Sequence, residues 1–131
     1  VTLETLVRST MRLRPDRIIV GEVRGGEALD LLKAWNTGHP GGIATVHANS
    51  AASALTRLEQ LIGERTTHIP CELIADAVDL VVFIARTSEG RRVKEIVRVD
   101  GLDEGAYRLT KPNPLELIVN NEIVSTEGAP R

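Results

Sequence analysis

A chain of 131 residues with 42% hydrophobic content is one domain or a piece of a larger one, long enough to bury an apolar core. Its formal net charge of −2 and pI near 5.9 speak against a broadly basic surface, so direct sequence-specific nucleic-acid binding is not expected. A single cysteine, Cys71, rules out an internal disulfide, and no apolar run approaches the roughly 18 residues of a membrane-spanning helix.

The chain opens on Val1, with no basic segment leading into an apolar stretch, and is therefore expected to be soluble, unexported and a truncated piece of a longer protein. Leu3, Leu6, Val7, Met11 and Leu13 recur at helical spacing over residues 2–13, with Thr2 placed to cap the first turn and Pro15 to end the helix. Arg8 and Arg12 share the opposite face, and Arg14 and Arg17 flank the proline. Guanidinium groups gathered in this way suit bidentate phosphate contact as well as plain solvation. A strand over Arg17 to Glu22 follows, then a flexible turn, Val23-Arg24-Gly25-Gly26. The next helix, about residues 27–37, presents Ala28, Leu31, Leu32 and Trp35 as one stripe and stops at Gly38. Residues 36–42, Asn-Thr-Gly-His-Pro-Gly-Gly, form a tight connection in which His39 is read as a turn residue.

The run Ile43-Ala44-Thr45-Val46 is a second strand ending on His47. Strand, crossover helix and strand make a βαβ unit, whose strands run parallel. Glu22 and His47 therefore share the carboxyl edge, where open α/β sheets bind ligands. A strand-terminal carboxylate such as Glu22 can hold Mg²⁺ through water, or orient a water for attack on a terminal phosphate. His47 can donate to a phosphate oxygen, and Thr45 and Asn49 offer further polar contacts. Zinc and nucleophile-triad chemistry find no support, because Cys-x-x-Cys, His-Glu-x-x-His and Gly-x-Ser-x-Gly are all absent. So is the Gly-x-x-x-x-Gly-Lys-Ser/Thr phosphate loop, and the isolated chain is expected to be catalytically inactive.

Asn49 or Ser50 can cap a helix over about 51–62, whose Ala54, Leu55, Leu58, Leu61 and Ile62 form the buried face and which ends at Gly63. Arg57, Glu59, Gln60, Glu64 and Arg65 are read as solvated. Pro70 starts another helix with Leu73, Ile74, Ala77 and Val78 as its stripe; Cys71 is read as a small buried hydrophobe, and His68 carries no functional signal. The continuously apolar run Leu80 to Ala85 predicts a strand buried on both faces. With a turn at 88–91 and a return through Val93, Ile96, Val97 and Val99 it makes a hairpin, which a short strand at 107–109 can join. From Lys111 the pattern fades: one edge strand is expected at 115–119, and 111–131 are otherwise read as a mobile tail.

Three stretches taken together resemble one family. Residues 11–28, Met-Arg-Leu-Arg-Pro-Asp-Arg-Ile-Ile-Val-Gly-Glu-Val-Arg-Gly-Gly-Glu-Ala, then residues 36–42, then Thr45-Val-His-Ala-Asn-Ser, look like the secretion and traffic ATPases of type IV secretion and conjugation, most of all the TrbB-like conjugal transfer ATPases. The resemblance implies an incomplete RecA-like P-loop NTPase core. Residues 1–110 would be its C-terminal part: a mostly parallel α/β sheet with flanking helices and a C-terminal β-hairpin. It further implies a homohexamer at the inner face of the bacterial inner membrane. There, ATP with Mg²⁺ would power pilus assembly or substrate translocation alongside the secretion or conjugation machinery. By position, Ile18 to Glu22 match the family's Walker B strand with Glu22 as catalytic carboxylate, and Gly41 to Asn49 match its His box with His47 near the γ-phosphate. Arg12, Arg14, Arg17 and Arg24 fall where phosphate or intersubunit contacts are expected. A type II secretion or pilus motor, or a non-catalytic docking module, is the alternative.

Overall fold

A computed structural model describes residues 1–112 and, beyond them, the backbone of 118–119 and 122–123. Helix α1 (Leu3–Met11) begins where the Thr2 hydroxyl accepts the Thr5 N–H at 3.1 Å, and Val7 is its buried residue. Strand β1 (Ile19–Val20) and strand β2 (Ile43–Ala44) pair in parallel, Ile19 opposite Ile43 and Val20 opposite Ala44. Helix α2 (Glu27–Asn36) makes the crossover between them. The βαβ unit read from the sequence is thus present, with strands shorter than the apolar runs that announce them.

Trp35, at the end of α2, locks the unit. Its indole N–H donates to the Ile18 carbonyl at 3.3 Å. The ring passes so close to Gly42 that a Cβ there would lie 2.0 Å from the indole nitrogen and 2.5 Å from the Ile18 oxygen. Only glycine fits, which explains the second glycine of the Gly41-Gly42 pair.

Helix α3 (Ala51–Ile62) starts at Ser50, which forms a reciprocal capping box with Ser53. Helix α4 (Cys71–Ala77) follows Pro70. Leu32, Leu55, Leu61, Ile62 and Ile74, from α2, α3 and α4, are the largest fully buried side chains. Each withdraws apolar surface worth roughly 1.5–3 kcal/mol from water.

Strands β3 (Leu80–Thr87), β4 (Gly90–Asp103) and β5 (Ala106–Thr110) form an antiparallel sheet in that order. The molecule is α/β, as expected, with one parallel pair and, after it in the chain, an antiparallel sheet that contains the expected hairpin and the strand joining it. The short turns joining β3 to β4 to β5 permit only antiparallel neighbours. One expectation is corrected at β3. It is not buried on both faces, because Val82 and Ile84 are 42% and 55% exposed while Val81 packs on the core. Among the described residues the helices α3 and α4 cover only one face of this sheet, so a continuous apolar run here marks an alternating strand with an apolar outer face.

Strands β6 (Ile118–Val119) and β7 (Glu122–Ile123) pair antiparallel. The remainder of the segment expected to be a mobile tail, including 115–117 of the expected edge strand, lies outside the described residues.

Candidate active site

Both parallel strands deliver their following residues to one edge. Backbone bonds continue the pairing past the strands: the Val23 N–H donates to the Thr45 carbonyl at 2.8 Å, and the Thr45 hydroxyl donates back to the Gly21 carbonyl. Glu22 and His47 are thereby drawn together, with His47 Nε2 2.5 Å from Glu22 Oε1. The other carboxylate oxygen, Oε2, accepts from Arg24 Nε. Glu22 is only 20% exposed, whereas Arg24 and His47 reach out at 81% and 92%. The Arg24 guanidinium, and to a lesser degree His47, holds the Glu22 carboxyl below the ordinary carboxylate range. Glu22 is therefore an anion gripped by two movable, solvent-facing donors.

A cleft of about 310 Å³ opens over this group, lined by Glu22, Val23, Arg24, His47 and Arg57. Arg57 comes from α3, where its guanidinium also donates to Gln60 Oε1 at 3.2 Å. Two guanidinium groups and an imidazole thus line one cleft with a carboxylate, an arrangement that favours an anionic ligand with a planar or tetrahedral set of oxygens. A water between the carboxylate and that ligand would have Glu22 as its base.

The other residues singled out from the sequence divide by place. Thr45 lies at the site, but its hydroxyl and carbonyl both go to the backbone of the turn it holds. Asn49 is exposed just before the α3 cap, its N–H donating to the Ser53 hydroxyl at 3.2 Å. Arg12, Arg14 and Arg17 precede β1, while Glu22 follows it, so the strand separates them from the cleft. Arg12 caps the end of α1, Arg14 sits exposed at φ 51°, and Arg17 donates to the Gly41 carbonyl at 3.0 Å. Of the four arginines, only Arg24 touches Glu22.

Sequence reasoning missed three contributors. Arg57 had a signal, since α3 starts right after His47 and its polar face returns over the same edge. Glu27 had a weaker one, an acidic residue three positions beyond Arg24; its Oε1 accepts the Arg24 and Gly25 N–H groups at 2.8 and 3.0 Å, fixing the turn after Glu22. Arg65, which reaches the same turn from beyond α3, had none.

Glu22 is a single carboxylate, and no group of three His, Cys, Asp or Glu able to hold a metal occurs among the described residues. That fits Mg²⁺ only as an ion whose octahedral shell is filled mainly by water and phosphate oxygens.

A family model described as type II/IV secretion system protein matches residues 1–112. The conjugal transfer protein TrbB of Rhizobium radiobacter is 57% identical over 108 residues, covering 82% of this chain and 33% of that protein. The type IV secretion system protein PtlH of Bordetella pertussis is 40% identical over 114 residues, covering 78% of this chain and 33% of that protein. Among solved structures, the VirB11 ATPase from the Brucella suis type IV secretion system, in complex with sulphate, superposes with a TM-score of 0.70 at 33% identity, covering 75% of this chain and 32% of that one. The chain spans about a third of the length of the curated relatives it matches.

Proposed function

The chain belongs to the type II/IV secretion system protein family, and from that premise we propose that it is the C-terminal part, residues 1–110, of a RecA-like ATPase of conjugation or type IV secretion, with ATP hydrolysed over Glu22. The observation that carries the reading is the convergence of Glu22, Arg24 and His47 at the carboxyl edge of a parallel strand pair. The relatives support the class: the Brucella suis protein is an ATPase of type IV secretion, and TrbB is a conjugal transfer protein.

In this proposal Glu22 is the Walker B carboxylate and His47 the His-box imidazole. Both Glu22 oxygens are engaged, one by Arg24 and one by His47. Terminal phosphate oxygens compete for those two donors. When Arg24 and His47 turn to the phosphate, they neutralise developing charge there and release a carboxylate oxygen to orient and deprotonate the attacking water. Catalysis and phosphate sensing are then one exchange of partners. Glu22 would be the residue to hold Mg²⁺ bound with the nucleotide, which would supply further charge neutralisation at the phosphoryl oxygens. Arg12, Arg14 and Arg17, on the far side of β1, are left for contacts between subunits of a homohexameric ring, working in the cytoplasm at the inner face of the bacterial membrane beside the other secretion or conjugation proteins. The isolated piece has no Walker A loop and is proposed to be inactive by itself.

The test is ATP turnover by the complete protein and its Glu22→Gln form. Loss of a general base typically costs about 10²–10⁴ in rate, so turnover should fall by that factor while nucleotide binding persists. Retention of most of the activity by Glu22→Gln would overturn the assignment.

A further inference from the structure

An ion network that the chemistry above does not use joins α1, α2 and the residues after α3. Asp30 of α2 is the one buried charged residue among those described, at 8% exposure. Its Oδ2 accepts from Arg65 Nη1, and its Oδ1 accepts from Arg8 Nε at 3.1 Å. Glu4 of α1 closes the ring, 2.8 Å from Arg8 Nη2 and 3.3 Å from Arg65 Nη2. A carboxylate at this depth needs such partners, because an unpaired buried charge is expensive.

Arg65 does more than neutralise Asp30. Its Nη1 also donates to the Gly26 carbonyl at 3.4 Å. Its aliphatic stem lies directly on Gly26, so closely that a Cβ there would be 2.2 Å from Arg65 Cδ. Gly26 ends the turn that starts at Gly21 and carries Glu22 and Arg24. The rest of that turn is held from the β2 side by Thr45 and from within by Glu27. Arg65 thus closes the far end of the turn, and does so from the residue run that follows α3, the helix that begins next to His47. One planar guanidinium serves a carbonyl and two carboxylates, which a lysine ammonium on its flexible stem cannot reproduce in one geometry.

We propose that Arg65, seated on Gly26 and anchored by Asp30 and Glu4, is a positioning residue that sets the turn carrying Glu22 and Arg24, and so the aim of the Glu22 carboxylate. The inference rests on the ATPase reading for its kinetic consequence but not for its structural one, and the experiment separates the two.

The complete protein is compared with Arg65→Ala, Arg65→Lys and Gly26→Ala, each also built into the Glu22→Gln background. Small misplacements of a catalytic group by distant substitutions reach about 10²-fold in rate. Arg65→Ala should therefore lower kcat about 10- to 100-fold and leave KM for ATP within about threefold, with Arg65→Lys intermediate. Because Arg65 acts through Glu22, the same substitution should cost little further in the Glu22→Gln background. An undiminished kcat, or an equal loss in both backgrounds, would overturn the proposal, since a merely structural residue lowers both alike. Should Arg65→Ala fail to fold, Arg65→Lys and Gly26→Ala carry the same comparison.

If the complete protein hydrolyses no ATP at all, the ATPase reading fails and the positioning claim is decided by amide exchange. The Val23, Arg24 and Gly25 N–H groups are all bonded. Their exchange should quicken by about tenfold or more in the Arg65 and Gly26 variants. Unchanged exchange would show that Arg65 does not hold the turn.

Discussion

The parallel pair that carries the site and the antiparallel sheet that follows it are held by different kinds of bond. β1 and β2 are two residues long. Beyond that ladder the geometry at Glu22 depends on side chains gripping the backbone: Thr45 on Gly21, Glu27 on Arg24 and Gly25, Arg65 on Gly26, Trp35 on Ile18. β3 to β5, at 8, 14 and 5 residues, are tied by a long ladder whose register shifts once in each pairing, at Phe83/Ile84 and at Val99/Gly101. There side chains grip the backbone too, Thr87 on Gly90 and Arg108 on Asp100, but the ladder they belong to runs for many residues. A region built by ladder can lose a side chain and keep its shape, whereas a region built by side-chain grips changes shape with each one. Function sits in the second kind, where a partner can be exchanged without unmaking a sheet.

Breaking the shared foundation should show the largest effect. Leu55 of α3 is fully buried and belongs to the core beneath both regions. Leu55→Ala should cost about 2–5 kcal/mol, and native-state amide exchange in α3 and α4 reads that loss without requiring the whole protein to unfold in one step. A cost under about 1 kcal/mol would mean that the two regions do not share this core. A smaller effect is expected where the sheet meets the helices. There Tyr107 of β5 donates to Glu59 Oε1 of α3 at 2.7 Å, and the Cys71 thiol of α4 donates to the same oxygen at 3.1 Å. Burial first, and the Glu59 hydrogen bond second, push the Tyr107 phenol above its ordinary range; the Glu59 bond first, and burial second, push up the Cys71 thiol. Both remain donors, and Cys71 is not poised as a nucleophile. Tyr107→Phe leaves the thiol in place and should cost about 1–2 kcal/mol in exchange protection of β5, with ATP turnover by the complete protein unchanged. A drop in turnover would show that the sheet does influence the site, against the contrast drawn above.

What the residues announced and what they hid follows the same division. Helical stripes at Ala28, Leu31, Leu32 and at Ala54, Leu55, Leu61, Ile62, the caps Thr2 and Ser50, and the strand–helix–strand order were legible, because periodicity and capping are local. The meeting of Glu22 with His47 was legible too, as a consequence of parallel topology alone. Burial of β3 was misjudged, since a run such as Leu80-Val81-Val82-Phe83-Ile84 does not say how many layers lie over it. The sequence left open which of Arg12, Arg14, Arg17 and Arg24 serves phosphate and which a neighbouring subunit; in the structure only Arg24 of the four pairs with Glu22. Arg65 and Asp30 were invisible: 35 residues separate them, and only the packing of α1, α2 and the end of α3 brings them together.

The smallest stability effect, and the sharpest functional one, is expected at Arg24. The Arg24–Glu22 pair is open to water on the arginine side, so removing it should leave protection and unfolding nearly unchanged. Its signature is in pH. Arg24 is the first cause of the lowered Glu22 pKa, and a carboxylate with a depressed folded pKa keeps its contribution above the ordinary value and loses it only as pH falls through the lowered one. If Glu22 acts as the base, the acid limb of kcat/KM for ATP should follow that lowered value. Arg24→Ala removes the main stabiliser and leaves His47 and partial burial, so the acid limb should move upward, toward the ordinary carboxylate range. The plateau rate should fall as well, through loss of the phosphate contact, and the limb is therefore read from the profile's shape and not its height. An acid limb that stays in place would mean that Arg24 has left Glu22 in the working protein, or that the limb belongs to another group. Glu22→Gln distinguishes these, because it abolishes the limb only if Glu22 is its source.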